Sequence, residues 1–358
     1  MESLKKITIK GFKSIKQCEL KLNNLNILIG SNGAGKSNFI SAFVLLQNIL
    51  DKELQFYTTQ NGINSLLYMG VKETNLIEMD FDFGHNSYGF ALAPTNNGQL
   101  YFVNEYYTFN GTRSTVKSSR GSMESQWELG VDNLMDHYVI PVLEKREWRV
   151  YHFHDTSRTA KMKQECDVHN NLFLMSDAGN LAAFLLRLKN EYLRNYQMIV
   201  NTVKLVAPFI SDFVLIPSGV HEDRIALRWK QKGCEDVFNS SQLSDGTIRF
   251  ICLTTLLLQP VNLQPSTIII DEPELGLHPY AIVLLSDMIK TAQKNVQIIL
   301  STQSVDLINE FDADDVIIVE TEDEGSTFSR LDSDNLQSWL DDYSLGELWK
   351  KNIIGGRP

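Results

Sequence analysis

The amino-acid sequence predicts an α/β fold with a parallel-sheet core, an antiparallel β lobe and a short helical arm. Three observations carry that expectation. The apolar run Leu25–Ile29 leads directly into Gly30-Ser31-Asn32-Gly33-Ala34-Gly35-Lys36-Ser37 and then into an apolar helix over Phe39–Leu50, an order of strand, glycine loop and helix. A second run, Thr267-Ile268-Ile269-Ile270, is β-branched throughout and ends in Asp271-Glu272, as a strand buried on both faces does. Between them, Ile77–Phe83, Tyr88–Ala93 and Leu100–Phe109 read as antiparallel strands, whereas Asn180–Val206 repeats apolar residues at three- and four-residue steps, the period of a helix.

The glycine loop is a nucleotide site by its chemistry. Its spacing matches Gly-x-x-x-x-Gly-Lys-Ser at every fixed position, so the backbone N–H groups of Asn32, Gly33, Ala34 and Gly35 can turn inward around phosphate oxygens. Lys36 then reaches toward the β- and γ-phosphates, and Ser37 offers a hydroxyl to Mg²⁺ at the positive end of the helix. A glycine-rich turn that only caps a helix is the plainer alternative. The agreement of strand, spacing and helix speaks against it.

Upstream, Leu4–Ile9 and Gln17–Leu22 alternate as an antiparallel pair, turned by Lys10-Gly11-Phe12-Lys13-Ser14. Lys13 and Ser14 lie just before the nucleotide loop and are candidates to touch the nucleotide, with a solvated turn as the alternative. Asn110–Ser125 is polar and reads as a surface loop. Trp148–His154 alternates as a strand that delivers His152 and His154 on one face; no third ligand at the usual spacing makes these two a metal site, so they read as part of a nucleotide-sensing loop. Phe213–Pro217 and Ile225–Trp229 read as a strand pair, Trp339–Trp349 as a helix and Asn352–Pro358 as a tail.

Composition bounds the rest. Of 358 residues, 43% are hydrophobic and 22% charged, with a formal net charge of −11, which describes a globular protein whose surface as a whole repels nucleic acid. No apolar stretch is long enough to span a bilayer and no secretory leader opens the chain, so a cytoplasmic protein with no membrane partner is expected. Cys18, Cys166, Cys234 and Cys252 are too scattered for a disulfide framework or a zinc site. Acidic residues crowd the stretch from Asp306 to Asp342, while Lys145, Arg146, Arg149, Arg158, Lys161 and Lys163 cluster mid-chain, an asymmetry that suggests two faces with different partners.

Two further stretches complete the candidate site. Ser244-Asp245-Gly246-Thr247 precedes the apolar helix Ile248–Leu258 and could offer a hydroxyl and free N–H groups to a phosphate, although a capping serine explains it alone. Asp271 and Glu272 close a buried strand, where open α/β sheets bind ligands; Asp271 suits Mg²⁺ through water and Glu272 suits orienting and deprotonating an attacking water. Val296–Ser301 reads as the next buried strand and ends in Thr302-Gln303-Ser304.

In this order the motifs resemble those of ABC-type ATPases of the RecF/SMC branch, often called simply AAA-family ATPases in bacteria: Walker A at Gly30–Ser37, signature at Leu243–Thr247, Walker B at Ile268–Asp271 with Glu272, and D-loop at Leu275–Pro279. The resemblance implies an ATPase head with ATP and Mg²⁺ as cofactors, its N-terminal half at 1–150, an inserted helical arm at 151–215 and its C-terminal half at 216–358. It also implies a head-to-tail homodimer, or a higher oligomer built on one, in which Ser244–Thr247 of one copy cover the ATP held by the other. Two departures stand out. Gln303 occupies the switch position that usually holds histidine, and Gln can bond a γ-phosphate but not carry a proton, which implies slow hydrolysis or sensing. No Q-loop glutamine is evident, and His154-Asp155 stand in its place.

A narrower resemblance is to compact ATPases of bacterial anti-phage defence and overcoming-lysogenization-defect systems. Several of those fuse a TOPRIM nuclease; here none is expected, so the effector would be a separate TOPRIM-like or HNH nuclease. The leading expectation is an ATP-driven dimeric switch that controls such an effector, with nucleic acid as a further partner through the basic cluster. The alternative is a RecF-like DNA clamp in recombination or repair, told apart by DNA binding and DNA-stimulated turnover of the chain alone. A transporter ATPase is disfavoured, since the familiar coupling elements do not follow the arm.

Overall fold

A computed structural model describes residues 3–127, 148–218 and 223–357. Its centre is a six-stranded sheet in the order β17-β16-β3-β15-β14-β8, made of β3 (Leu25–Ile29), β8 (Trp148–Tyr151), β14 (Thr267–Asp271), β15 (Gln297–Thr302), β16 (Val316–Glu322) and β17 (Gly325–Arg330). All pairs are parallel except β16 with β17. The continuous β-branched runs follow from this position: β3 and β15 are buried at every residue, because both faces of the sheet are covered.

A second six-stranded sheet, antiparallel, has the order β2-β1-β4-β5-β6-β7, from β1 (Lys6–Phe12), β2 (Ile15–Lys21), β4 (Ile77–Asp82), β5 (Asn86–Pro94), β6 (Leu100–Phe109) and β7 (Thr112–Thr115). Alternation along the parallel strands divides the core. Leu28, Ile269, Ile299 and Ile317 face the P-loop helix Lys36–Leu50 and the antiparallel sheet, where Phe39, Phe43, Phe81 and Phe90 pack. Ile27, Ile268, Ile270, Ile298 and Leu300 face the opposite layer, formed by the helices Leu181–Glu191, Leu193–Val206, Asp245–Leu258 and Pro279–Ala292.

Several sequence expectations change in detail. The arm is two helices broken at Tyr192, and their apolar faces are sunk into that second core. The stretch 110–125 is no simple loop: it contains β7 and a turn whose Ser119 and Ser125 are buried, because their hydroxyls solvate the buried Glu105 carboxylate. The strand expected to run to His154 ends at Tyr151, where the next backbone N–H, that of His152, donates to Ser176 O at 2.9 Å. The two histidines are therefore presented by a loop.

The strand pair is β10 (Ile210–Val214) with β12 (Arg228–Gln231), and Ile225 belongs to the short pair of β11 (Arg224–Ile225) with β9 (Cys166–Asp167). The final helix is two, Ser333–Leu340 and Leu345–Lys350, the second restarted by a Ser344–Glu347 capping box. The tail is tied down, with Trp349 Nε1 donating to Gly356 O and the Gly356 N–H to Glu320. Of the basic cluster, Lys145 and Arg146 lie outside the described residues; Lys161 pairs with Asp177, Lys163 with Asp245, and Arg149 stacks on Phe173. Among the described residues no helix is long and apolar enough to cross a membrane.

Candidate functional site

Parallel register brings the ends of four strands to one edge. Ile29 stands beside Thr302, Ser301 beside Asp271 and Ile270 beside Tyr151, so the residues just past each strand share the carboxyl-end crevice of the sheet. There the P-loop turns into its helix. Gly33 and Gly35 take φ of +81° and +117°; a Cβ on Gly35 would lie 2.2 Å from Ser326 Oγ, whereas nothing lies within 4 Å of one on Gly33, which leaves the mouth of the loop open.

A cavity of about 120 Å³ results. Asn32, Gly33, Gly35, Lys36, Ser37 and Asn38 line one wall, and Glu272 with Gln303 line the other. Ala34 is buried beneath the loop. Lys36 Nζ donates to Gly30 O at 2.6 Å and Ser31 O at 3.0 Å; burial lowers its pKa, opposed by the charges of Glu272, Asp271 and Glu274. A buried ammonium held only by loop carbonyls, beside the free N–H groups of a helix start, is a chemical fit for a polyphosphate.

Asp271 accepts a hydrogen bond from Ser301 Oγ, and the Glu272 N–H donates to Ser301 O at 3.0 Å. Glu272 then takes φ of +43°, a left-handed turn uncommon outside glycine that carries the chain off the strand. Its carboxylate accepts a hydrogen bond from Gln303 Nε2. Glu274 Oε1 accepts from Thr302 Oγ1 at 2.6 Å and from the Gln303 N–H at 3.1 Å, and burial pushes its pKa up, with the Thr302 bond opposing.

Lys13 and Ser14 stand at the side of this cavity. Lys13 Nζ donates to Ser41 Oγ at 3.0 Å on the P-loop helix, and Ser14 Oγ accepts from Asn38 Nδ2 and shares a hydrogen bond with Ser326 Oγ, each at 2.7 Å. Both line a neighbouring cleft of about 540 Å³ whose far wall is the segment from Asn64 to Lys72.

The signature residues do not line the P-loop cavity of their own chain. Ser244 caps the helix Asp245–Leu258 and accepts the Thr247 N–H at 3.2 Å. Asp245 pairs with Lys163 at 3.1 Å. Gly246 is seated on the D-loop, since a Cβ there would lie 2.4 Å from Gly276 O. Of the Q-loop candidates, His154 donates Nε2–H to Asp271 O at 2.7 Å, whereas Asp155 turns away to accept the Ser157 N–H.

Two residues at this junction escaped the sequence reading. Arg249 is buried in the signature helix and donates to three backbone carbonyls, those of Phe153, His154 and Leu275. A lone arginine inside the apolar run Ile248–Leu258 was its signal. Glu274 is the second, marked only by its place two residues after Glu272.

This geometry has counterparts in solved structures. The SMC head bound to the C-winged helix domain of ScpA superposes with a TM-score of 0.60 at 16% identity, over 94% of this chain and 99% of that one. The Smc head domain with a coiled coil and joint from Pyrococcus yayanosii gives 0.54 at 12% identity, over 95% and 99%. These likenesses establish the fold, that of an SMC head domain. In sequence, the Endonuclease GajA of Bacillus cereus (strain VD045) is 27% identical over 137 residues, 36% of this chain and 22% of that protein. The chain thus corresponds to about a fifth of that relative's length. Residues 151–309 match the family described as AAA domain, putative AbiEii toxin, Type IV TA system. Residues 3–204, more than half of the chain, match the AAA ATPase domain family, and to that family the chain belongs.

Proposed function

We propose that the chain is an ATP-driven switch that closes head to tail on a second copy and serves as the ATPase or sensor subunit of a bacterial anti-phage system with a separate effector nuclease. The observation that carries the ATPase part is the cavity in which Lys36 and Ser37 face Glu272 and Gln303. On this reading Lys36 would leave the Gly30 and Ser31 carbonyls for phosphate oxygens, Ser37 and Asp271 would hold Mg²⁺, and Lys13 and Ser14 would flank the nucleotide. Bound there, the metal would supply charge neutralisation to the phosphates. Glu272 orients the attacking water and takes its proton, while Gln303 holds Glu272 by its amide.

Ser244, Asp245, Gly246 and Thr247 lie outside their own cavity, which supports their acting on the ATP of a partner copy. The partial likeness to an endonuclease and to a family described by a toxin supports the defence reading and the search for an effector. Light scattering of Glu272→Gln with and without ATP and Mg²⁺ tests the switch. The expected outcome is a monomer-to-dimer or loose-to-compact change that Lys36→Ala abolishes. Unchanged mass and shape with ATP bound would sink the composite site.

A further inference from the structure

We propose that Glu274 is a positioning residue for ATP hydrolysis, which holds the switch residue Gln303 so that its amide meets Glu272. The inference rests on the ATPase reading of the site. Glu274 follows Pro273 in the turn after β14, and its Oε1 receives two hydrogen bonds from consecutive residues at the end of β15: the Thr302 hydroxyl at 2.6 Å and the Gln303 N–H at 3.1 Å. The Thr302 hydroxyl also accepts the Ser304 N–H at 2.9 Å, so the segment is held on both sides of Gln303. From that fixed backbone, Gln303 Nε2 donates to Glu272 Oε1. One carboxylate sets where the switch side chain starts, and that side chain sets where Glu272 points.

The left-handed backbone at Glu272 makes this support matter. With φ of +43° the chain turns off the strand at this residue, after its N–H has bonded Ser301 O, and Gln303 donates the hydrogen bond that its carboxylate accepts. Toward Thr302 and Gln303, Glu274 acts as an acceptor. Its second oxygen, Oε2, is buried and accepts no hydrogen bond, so an amide with its oxygen at the Oε1 position keeps both bonds and exchanges one unpartnered atom for another. A carboxylate that relayed a proton would not survive that exchange.

Turnover, ATP affinity and melting temperature are measured for the full chain and for Glu274→Gln, Glu274→Ala and Thr302→Val. Glu274→Ala is expected to lower kcat on the order of 10²-fold, the loss that a misplaced catalytic group brings, with KM for ATP held within about threefold. Glu274→Gln keeps most of the turnover, and Thr302→Val, which removes one of the two bonds to Glu274 together with the Ser304 N–H contact, loses more than Glu274→Gln; if the alanine variant does not fold, this pair decides. In single turnover, Glu274→Ala adds no further loss to Glu272→Gln, because residues acting through one another are not additive. Equal loss in the Gln and Ala variants, a multiplicative loss in the double variant, or wild-type turnover in Glu274→Ala would each overturn the proposal. A wild-type chain that binds ATP without ever hydrolysing it fails the ATPase reading itself and takes this inference with it.

Discussion

Asp315 shows how a single residue can set a pH dependence far from the nucleotide. It sits half-buried in the turn before β16, and burial, with Asp312 and Asp314 nearby, pushes its pKa from 3.8 up to about 6 against the opposing charge of Arg330. That guanidinium is already committed to Asp314 O, Lys21 O and Asn26 Oδ1. A raised carboxylate pKa means that the folded chain keeps a proton which the unfolded chain has released. Its stabilising contribution is therefore complete below the unfolded value and is lost as the pH rises from about 4 to 6. Asp315→Asn should remove that slope and leave the variant the more stable protein above the window. Urea melts of both proteins across this range check it, and parallel slopes would refute it.

The signature helix is held as an element, and its seat is a contact between two glycines. Gly246 rests on Gly276 O, and Arg249, one turn on, clasps Leu275 O on the same loop and the carbonyls of Phe153 and His154 on the other side. Gly246→Ala would push a methyl group to 2.4 Å from Gly276 O, so the helix start must move. If ATP joins two copies as proposed, that association should weaken by about tenfold or more, on the order of the 1–3 kcal/mol that overpacking costs, while ATP binding to the same chain's P-loop persists. Nucleotide titration beside light scattering separates the two effects. What could be read from the sequence follows from the same physics. The glycine loop between β3 and its helix, and the acids at the end of β14, were legible as structure because fixed residue types at fixed spacing mark them. Glu274 and Arg249 were not, since their partners are backbone groups and side chains some 26 to 96 residues away in sequence. The stretch 110–125 misled because two of its polar residues, Ser119 and Ser125, face Glu105 and not water. The strand at Trp148 was read too long because alternation continues past Tyr151 after the pairing with β14 has stopped.

At the scale of the molecule, the parallel sheet is the partition between two cores, and the P-loop, Glu272 and Gln303 lie just beyond its strand ends. The P-loop helix belongs to one core, and β14, which Glu272 follows, contributes to both, so a ligand held between Lys36 and Glu272 bridges the helix and the sheet it packs on. Binding to the folded state alone should therefore raise global stability, by about 2.7 kcal/mol when free ATP with Mg²⁺ is 100 times its Kd. Lys36→Ala should show no such rise at the same concentrations. The Glu272→Gln protein separates a single-chain effect from assembly: if ATP also joins two copies, its melting temperature with ATP climbs with protein concentration, since mass action then links folding to dimerisation. A shift that is the same at every protein concentration would mean that the nucleotide tightens one chain only, and that Ser244 to Thr247 meet their phosphate, if any, through a different partner.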